Sequence, residues 1–455
     1  MTRCFFFISI LWFLHVPAYS SVYNARTLTV HEVVSSYGIK SALLQVKNDV
    51  FTVFDISMLN AGYAYDPVDK QGLANISAYI LRTCDTKQMT NLEIQQRLSM
   101  LGAYFSYEVG IDRVSVQVHC LSEHLNEVLL LLNYKLFHHI VTDEILQYAK
   151  QHVKTTRNLQ LHNFDPQYLL STQLFGSFFT EHPYASKPFG VVLKGKNQDS
   201  IDNISVQDVR AYFSNNINRV NSIISVFGSI TKSELIKILD KYMLELPLAL
   251  EKRPKKIRNI MFHEVDNISD RISLKVDGAH NTERALVYVL TEQVSPTDAS
   301  YYPMYIIYYI LKSRVLDTCI LNILPQGFRE IPTLYSLQYN MRYSDMLALY
   351  FSTTLSNLYE YIDITENVLK LLDQTVISVP ILKDLKISIV NSFLTSLEDP
   401  KNTIYLLRFM QEHKLGTFFI EDFLNGINNT TVEEINSVFR SLTKDKFTMV
   451  DISCV

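Results

Sequence analysis

The feature that most limits what this 455-residue chain can fold into is that it repeats itself once. Asp165-Pro166, which opens a helical stretch, returns as Asp399-Pro400. Asn203-Ile204-Ser205-Val206-Gln207-Asp208-Val209 returns as Asn429-Thr430-Thr431-Val432-Glu433-Glu434-Ile435. The apolar run 222–229 returns as 446–453. Three echoes in one order, at nearly one offset, indicate a duplicated domain, and the period is far too long for a solenoid. In both copies alternating apolar runs interleave with helix pairs. That pattern predicts an α+β fold of two homologous halves, each an antiparallel sheet flanked by helices.

Taken in order, residues 27–35, 40–46 and 51–58 alternate apolar and polar and read as half-buried strands. Residues 71–83 read as a buried helix, and 91–101 as a second helix with Leu92, Ile94, Leu98 and Leu101 inward and Gly102 at its C-terminal cap. A strand pair follows at 103–109 and 113–120, turned by Gly110-Ile111-Asp112. Helices are expected at 123–137, 142–161 (capped by Thr142), 167–179, 205–215 (capped by Ser205) and 231–246, with a strand at 221–228. Pro247, Pro254, Glu251, Lys252, Arg253, Lys255, Lys256 and Arg258 then give a linker composition, which reads as a solvated connector. After it the pattern restarts. A strand at 284–291 precedes a helix at 303–312, in the slot of the 71–83 helix; strands at 342–351 and helices at 355–371 and 382–397 follow. The expected division is a domain at 21–246, a linker at 247–261 and a homologous domain at 262–455.

Residues 1–20 stand apart. Arg3 precedes an apolar core, Cys4 to Val16, and then Pro17-Ala18-Tyr19-Ser20-Ser21. This is the layout of a signal peptide cleaved after Ser20, with an uncleaved anchor as the alternative. No later stretch approaches eighteen apolar residues, so the mature chain is expected to be exported, without an integral membrane segment. A formal net charge of −4 gives no reason to expect nucleic acid. Cys84, Cys120, Cys319 and Cys454 are widely spaced, without Cys-x-x-Cys. They are too few for a disulfide scaffold and read as buried thiols, with one bridge open to an oxidising compartment.

The helix Gln71-Gly72-Leu73-Ala74-Asn75-Ile76-Ser77-Ala78-Tyr79-Ile80-Leu81-Arg82-Thr83 carries the clearest chemical signal, a negative one. It resembles the zinc helix of the inverzincin metallopeptidases (pitrilysin, insulinase, mitochondrial processing peptidase). Their pattern is Gly-x-Ala-His-x-x-Glu-His, closed by Gly-Thr. Gly72, Ala74 and Thr83 match; Asn75 stands for the first histidine, Ala78 for the glutamate base and Tyr79 for the second histidine. The family's third ligand, a Glu on the long helix, falls near Thr155, between Lys154 and Arg157. Zinc needs deprotonated N, S or carboxylate ligands, and Asn75, Tyr79 and Thr155 do not supply them. The adjacent His138-His139 point to different faces, and neither His119 with His124 nor His152 with His162 has metal spacing. No nucleophile elbow, phosphate loop or dinucleotide fingerprint is present.

The resemblance extends along the mature chain through residues 90–101, His182-Pro183-Tyr184, Pro188-Phe189-Gly190 and 205–228. It implies a clamshell of two homologous halves. Phe328-Arg329-Glu330-Ile331-Pro332-Thr333-Leu334-Tyr335-Ser336 is similar to the family's Arg…Tyr grip on the substrate backbone, one residue shorter and without its glycine. Ser313-Arg314 resembles the segment just upstream, though the glycine-rich loop is missing. The implied role is a non-catalytic, peptide-binding subunit of an exported bacterial zinc peptidase, in the periplasm. It would use Arg329 and Tyr335, hold no metal or cofactor itself, and pair with a catalytic subunit that carries the zinc. The alternative is a purely structural subunit, like the core proteins of ubiquinol–cytochrome c reductase; an active zinc endopeptidase is the least favoured reading. Mass spectrometry of the exported protein is expected to find the mature chain beginning at Ser21, and an intact Met1 in a membrane fraction would favour the anchor.

Overall fold

The computed structural model describes residues 28–47, 49–179, 182–193, 198–248, 271–276, 284–292, 294–313, 335–339, 341–342, 346–370, 374–441 and 447–454. The first half runs β1 (Val30–Val34), β2 (Lys40–Gln45), β3 (Phe51–Leu59), α1 (Leu73–Thr83), α2 (Asn91–Met100), β4 (Tyr104–Val109), β5 (Arg113–Leu121), α3 (Leu125–Phe137) and α4 (Asp143–His162). It continues with α5 (Pro166–Leu169), a π-turn (Leu170–Leu174), α6 (Phe175–Phe178), β6 (Val192–Leu193), β7 (Gln198–Asp199), α7 (Val206–Asn216), β8 (Ser222–Gly228) and α8 (Lys232–Tyr242). The second half holds β9 (Arg271–Val276), β10 (Arg284–Glu292), α9 (Tyr301–Lys312), β11 (Tyr335–Tyr339), β12 (Met346–Thr354) and α10 (Leu358–Lys370). It closes with α11 (Val379–Ser396), α12 (Pro400–Glu412), α13 (Phe419–Asn429), α14 (Val432–Ser441) and β13 (Thr448–Cys454).

The duplication is visible in the topology. The first sheet is ordered β1-β2-β8-β3-β5-β4 and the second, read from its far edge, β9-β13-β10-β12-β11. Strand for strand, β2-β8-β3-β5-β4 matches β9-β13-β10-β12-β11. Each sheet is antiparallel except at one corresponding pair, β2 with β8 and β13 with β9. Those pairs are parallel because the chain crosses the whole half before returning to the sheet. The sequence echoes are matched helix starts. Ser205 accepts from the Asp208 amide and Thr431 from the Glu434 amide, while the two acids accept from the amides of Ser205 and Thr431. Asp165 Oδ1 accepts from the Tyr168 amide at 2.7 Å and Asp399 Oδ1 from the Lys401 amide at 2.8 Å, each with proline in the first turn, where a missing N–H costs nothing.

Several local expectations change. Leu92 is 67% exposed, because α2 buries only the stripe through Ile94 and Leu98. The helix expected at 231–246 stops at Tyr242. Arg342 lies in a bend, and the strand after it runs Met346–Thr354. The stretch expected as one helix at 167–179 is broken by a π-turn. The strand β9 and helix α13 carried no sequence signal that was recognised. The 1–20 segment and all of the 247–261 linker beyond Pro247 and Leu248 lie outside the described residues.

The two halves exchange a helix. Along β3, Phe54, Ile56 and Met58 join the core with the first half's own helices, while Val53, with Ala42, Leu44 and Phe227, joins a core built on the second half's helices. The element lying on that face is α12, packed across β8, β2 and β3 through Ile404, Leu407 and Met410. The second sheet does the converse. Ala285, Val287 and Val289 face its own helices, whereas Leu286, Tyr288, Leu290, Val450 and Ile452 share a core with Leu169, Leu170, Leu174 and Phe175 of the α5–α6 rod. Tyr288 Oη donates to the Pro166 carbonyl at 2.7 Å, and Phe175 meets Tyr339 edge-on at 5.2 Å. So the Asp-Pro helix of each half covers the sheet of the other. Both sheets are thereby covered on both faces, so β3, expected as half-buried, buries the polar Thr52, Asp55 and Ser57 along with its apolar residues. Because the cores are shared, Leu407→Ala is expected to cost about 2–5 kcal/mol and to lower one common unfolding transition. Two separated transitions, with only one shifted in urea melts, would show that the halves are not coupled.

Candidate functional site

The buried helix α1 is held at both ends by charges from elsewhere in the fold. Its N-cap is Gly72, left-handed at φ 98°, which has no side chain to cap with. Asp66, also buried, does the work from six residues upstream: Oδ2 accepts from the Gly72 amide at 2.9 Å and Oδ1 from the Ala74 amide at 3.0 Å. At the other end Lys135, fully buried on α3, donates to the carbonyls of Cys84 (2.6 Å) and Arg82 (3.3 Å) and to Asn91 Oδ1 (2.7 Å). A carboxylate at the N-terminus and an ammonium at the C-terminus both complement the helix dipole. Burial works against each charge, pushing the Asp66 pKa up and the Lys135 pKa down. Neither residue was singled out in the sequence, because the contacts join α1 to a loop and to α3.

Helix α1 packs on α4, the pair that the resemblance would have share an ion. Asn75 donates its amide to the Pro188 carbonyl at 2.6 Å. Ala78 is buried. Tyr79 stacks on His152 of α4, ring centres 4.2 Å apart. Thr155 is exposed on α4. Burial, helped by Arg82, lowers the His152 pKa, so its ring is neutral at neutral pH. One imidazole beside a phenol and an amide is not a zinc donor set, and the residues do not fit the metal. Among the described residues, no three His, Cys, Asp or Glu side chains form a group that could hold a metal ion.

What occupies the place instead is a strap, the segment around Pro188–Gly190 and β7. Lys150, Lys154 and Arg157 fall at i, i+4 and i+7 on α4 and all reach it. Lys150 donates to the Asp202 carbonyl at 3.1 Å and Lys154 to its carboxylate at 2.7 Å. Arg157 grips Asp199 through both terminal nitrogens, at 3.3 and 2.5 Å, and donates to the Phe189 carbonyl at 3.4 Å. Burial alone would raise the Asp199 pKa, but the Arg157 fork holds it below the usual carboxylate range. Gln71 ties the strap from the α1 side, accepting from the Lys187 amide and, through its carbonyl, from Ser200 Oγ, both at 2.9 Å. The approach is close enough to require glycine: at Gly190, φ 75°, a Cβ would sit 2.6 Å from Ile201 Cγ1 and 2.9 Å from the Gln71 carbonyl.

Arg329 and Arg314 lie outside the described residues. Tyr335 begins β11, an edge strand of the second sheet, and is 58% exposed. It pairs with Tyr350 and lies near that ring at 5.6 Å. On the same side of β11 are Leu337 and Tyr339, which pack into the core shared with the first half. Tyr335 therefore lies on the sheet face that looks toward the first half. Among the described residues the histidines form no cluster: His119 stacks on Tyr104, His139 meets the Phe213 ring at a tilt, and His138 lies 3.3 Å from Glu245. Cys84 and Cys120 are free buried thiols. No helix among the described residues is long and apolar enough to cross a membrane.

No family model matches this sequence, and no curated protein matches it. Solved structures do. The inactive domain of a peptidase M16 from Pseudomonas fluorescens superposes with a TM-score of 0.76 at 17% identity, covering 94% of this chain and 98% of that one. A protease from Helicobacter pylori gives 0.76 at 15% identity, over 93% and 99% of the two chains. The periplasmic protease PqqL from Escherichia coli gives 0.71 at 12% identity; the match spans 94% of this chain but 46% of PqqL. At these identities the likeness establishes the fold: two α+β halves arranged as in the inactive M16 peptidase domain.

Proposed function

We propose that this chain is a non-catalytic, exported subunit that binds peptide and completes the chamber of a zinc peptidase of the same fold. The observation that carries the reading is the state of α1 and α4. On this reading α1 and α4 are the scaffold of a zinc site in which two of the chemical positions, Asn75 and Tyr79, serve structural contacts instead. Asn75 fastens the strap, Tyr79 stacks on His152, and α4 offers Lys154 and Arg157 to Asp199 and Asp202 where an acid would be needed. A chain that keeps this architecture without the chemistry is suited to shaping a site whose metal another chain supplies. The likeness to an inactive M16 domain supports the same reading. So does Tyr335, an exposed phenol on an edge strand, a place where an extended peptide can be held by its backbone. Export to the periplasm is proposed from the 1–20 segment.

Two outcomes follow. The purified chain is expected to bind no stoichiometric zinc, and one zinc per chain removed together with a peptidase activity would overturn the assignment. Mixed with a catalytic chain of the same fold, it is expected to form one complex in size-exclusion chromatography. In that complex Tyr335→Phe or Arg329→Ala should lower kcat/KM about ten- to a hundredfold, the loss of a grip worth about 1.5–3 kcal/mol, with assembly unchanged. Unchanged kcat/KM with assembly intact would favour a structural role.

A further inference from the structure

The surface between the halves carries an unequal charge count. Where α12 lies on the first sheet, Arg408 is 1% exposed and sits 3.8 Å from Asp55 Oδ1, a carboxylate with no exposure at all. Arg408 does not hydrogen-bond that oxygen. Its terminal nitrogens donate to Ser115 Oγ at 2.9 Å and to Glu108 Oε2 at 3.2 Å. Asp55 Oδ2 accepts from Ser57 Oγ at 2.8 Å and the Gln117 side chain, opposite it on β5, also favours the carboxylate, while Oδ1 makes no hydrogen bond of normal geometry among the described residues. One turn further along α12, Glu412 is paired with Arg113 at 3.1 and 3.2 Å. Beside Arg113, the buried Asp112 accepts from Tyr184 Oη at 3.0 Å and from the Arg342 amide at 2.9 Å. Four carboxylates (Asp55, Glu108, Asp112, Glu412) thus share a layer with the guanidinium groups of Arg113 and Arg408, the exposed Arg342 reaching it through its backbone amide, and Asp55 is the acid with the least water. We propose that docking of the two halves takes up a proton at Asp55, so that acid tightens the interface and a rise in pH loosens it.

The physical case is that a carboxylate buried without full pairing is cheaper to keep protonated than ionised. A proton on Asp55 would lower the excess of negative charge in the layer. Burial is the dominant influence and outweighs Arg408, Ser57 and Gln117, pushing the Asp55 pKa to about 6. An acid whose folded pKa is raised contributes no penalty below its unfolded pKa near 4. The penalty builds as pH rises from about 4 to 6 and is constant above that. A rise of about two units corresponds to a loss of about a hundredfold in the folded-to-unfolded ratio. Glu412 moves in the same direction, raised by burial. The charged groups that act on Asp55 are Arg408 on α12 and Glu108 on β4; further along the same elements lie Arg113 and His119 on β5 and Lys401, Glu412 and His413 on α12, while the β8 partner Ser225 carries no charge. His119 and His413 have lowered pKa values, so they act oppositely, costing stability as pH falls.

The inference does not depend on peptide binding, and the test separates Asp55 from those histidines by difference. Stability of the full chain and of its Asp55→Asn variant is measured by urea unfolding from pH 4 to 7. The wild type is expected to lose about ten- to a hundredfold in its folded-to-unfolded ratio relative to the variant between pH 4 and 6, with no further change to pH 7. Parallel profiles would overturn the proposal. If the variant does not fold, the Asp55 carboxyl is followed in the wild type by ¹³C NMR. Titration near pH 6 supports the proposal, and titration at or below pH 4 overturns it.

Discussion

The structure depends on each half lending the other a helix. A mixed sheet of five or six strands has two faces, and the helices of one half cover only one of them. The second face is covered by α12 on the first sheet and by the α5–α6 rod on the second. Exposing either face would leave a large apolar surface in water, at roughly 25 cal/mol for each Å². The halves therefore belong to one packing problem, and the Asp-Pro starts at Asp165 and Asp399 launch the two helices that solve it.

The exchange also explains where polar groups had to be buried. The face of the first sheet under α12 mixes apolar Val53 with Asp55, Ser57, Ser115 and Ser225. Gln411 of α12 donates to the Ile224 carbonyl and Ser225 Oγ, and Arg408 to Ser115 and Glu108. Hydrogen bonds of this kind fix the register of a helix on a sheet, where an apolar face alone would let it slide. Their cost is a buried charge layer whose balance depends on protonation.

The same constraint governs the contact between α1 and α4. Helix α1 is central to the first half's core through Ala74, Ile76, Ile80 and Leu81, so it persists whether or not it carries chemistry. Between α1 and α4 the contacts are short-range: Asn75 to the strap, Tyr79 to His152, and the cationic face of α4 to Asp199 and Asp202.

The duplication, the helix caps at Ser205 and Thr431 and most strand positions were legible in the sequence, because each rests on local periodicity or capping chemistry. Pattern alone also gave the two α+β halves. The rest was decided in three dimensions. Nothing local shows that 400–412 lies on the other half's sheet, since an amphipathic helix presents the same stripe to any partner. Asp66 and Lys135 serve α1 across loops and helices that sequence spacing does not connect, and the strap meets α4 only once the chain has turned back. Leu92 was misplaced for a related reason: an apolar residue at helical spacing is buried only if a neighbouring element arrives to cover it, and there α2 faces water. Residue identity set the donor groups that α1 and α4 carry, because that is local; tertiary packing decided which charges meet between the halves, because that depends on which elements arrive against one another.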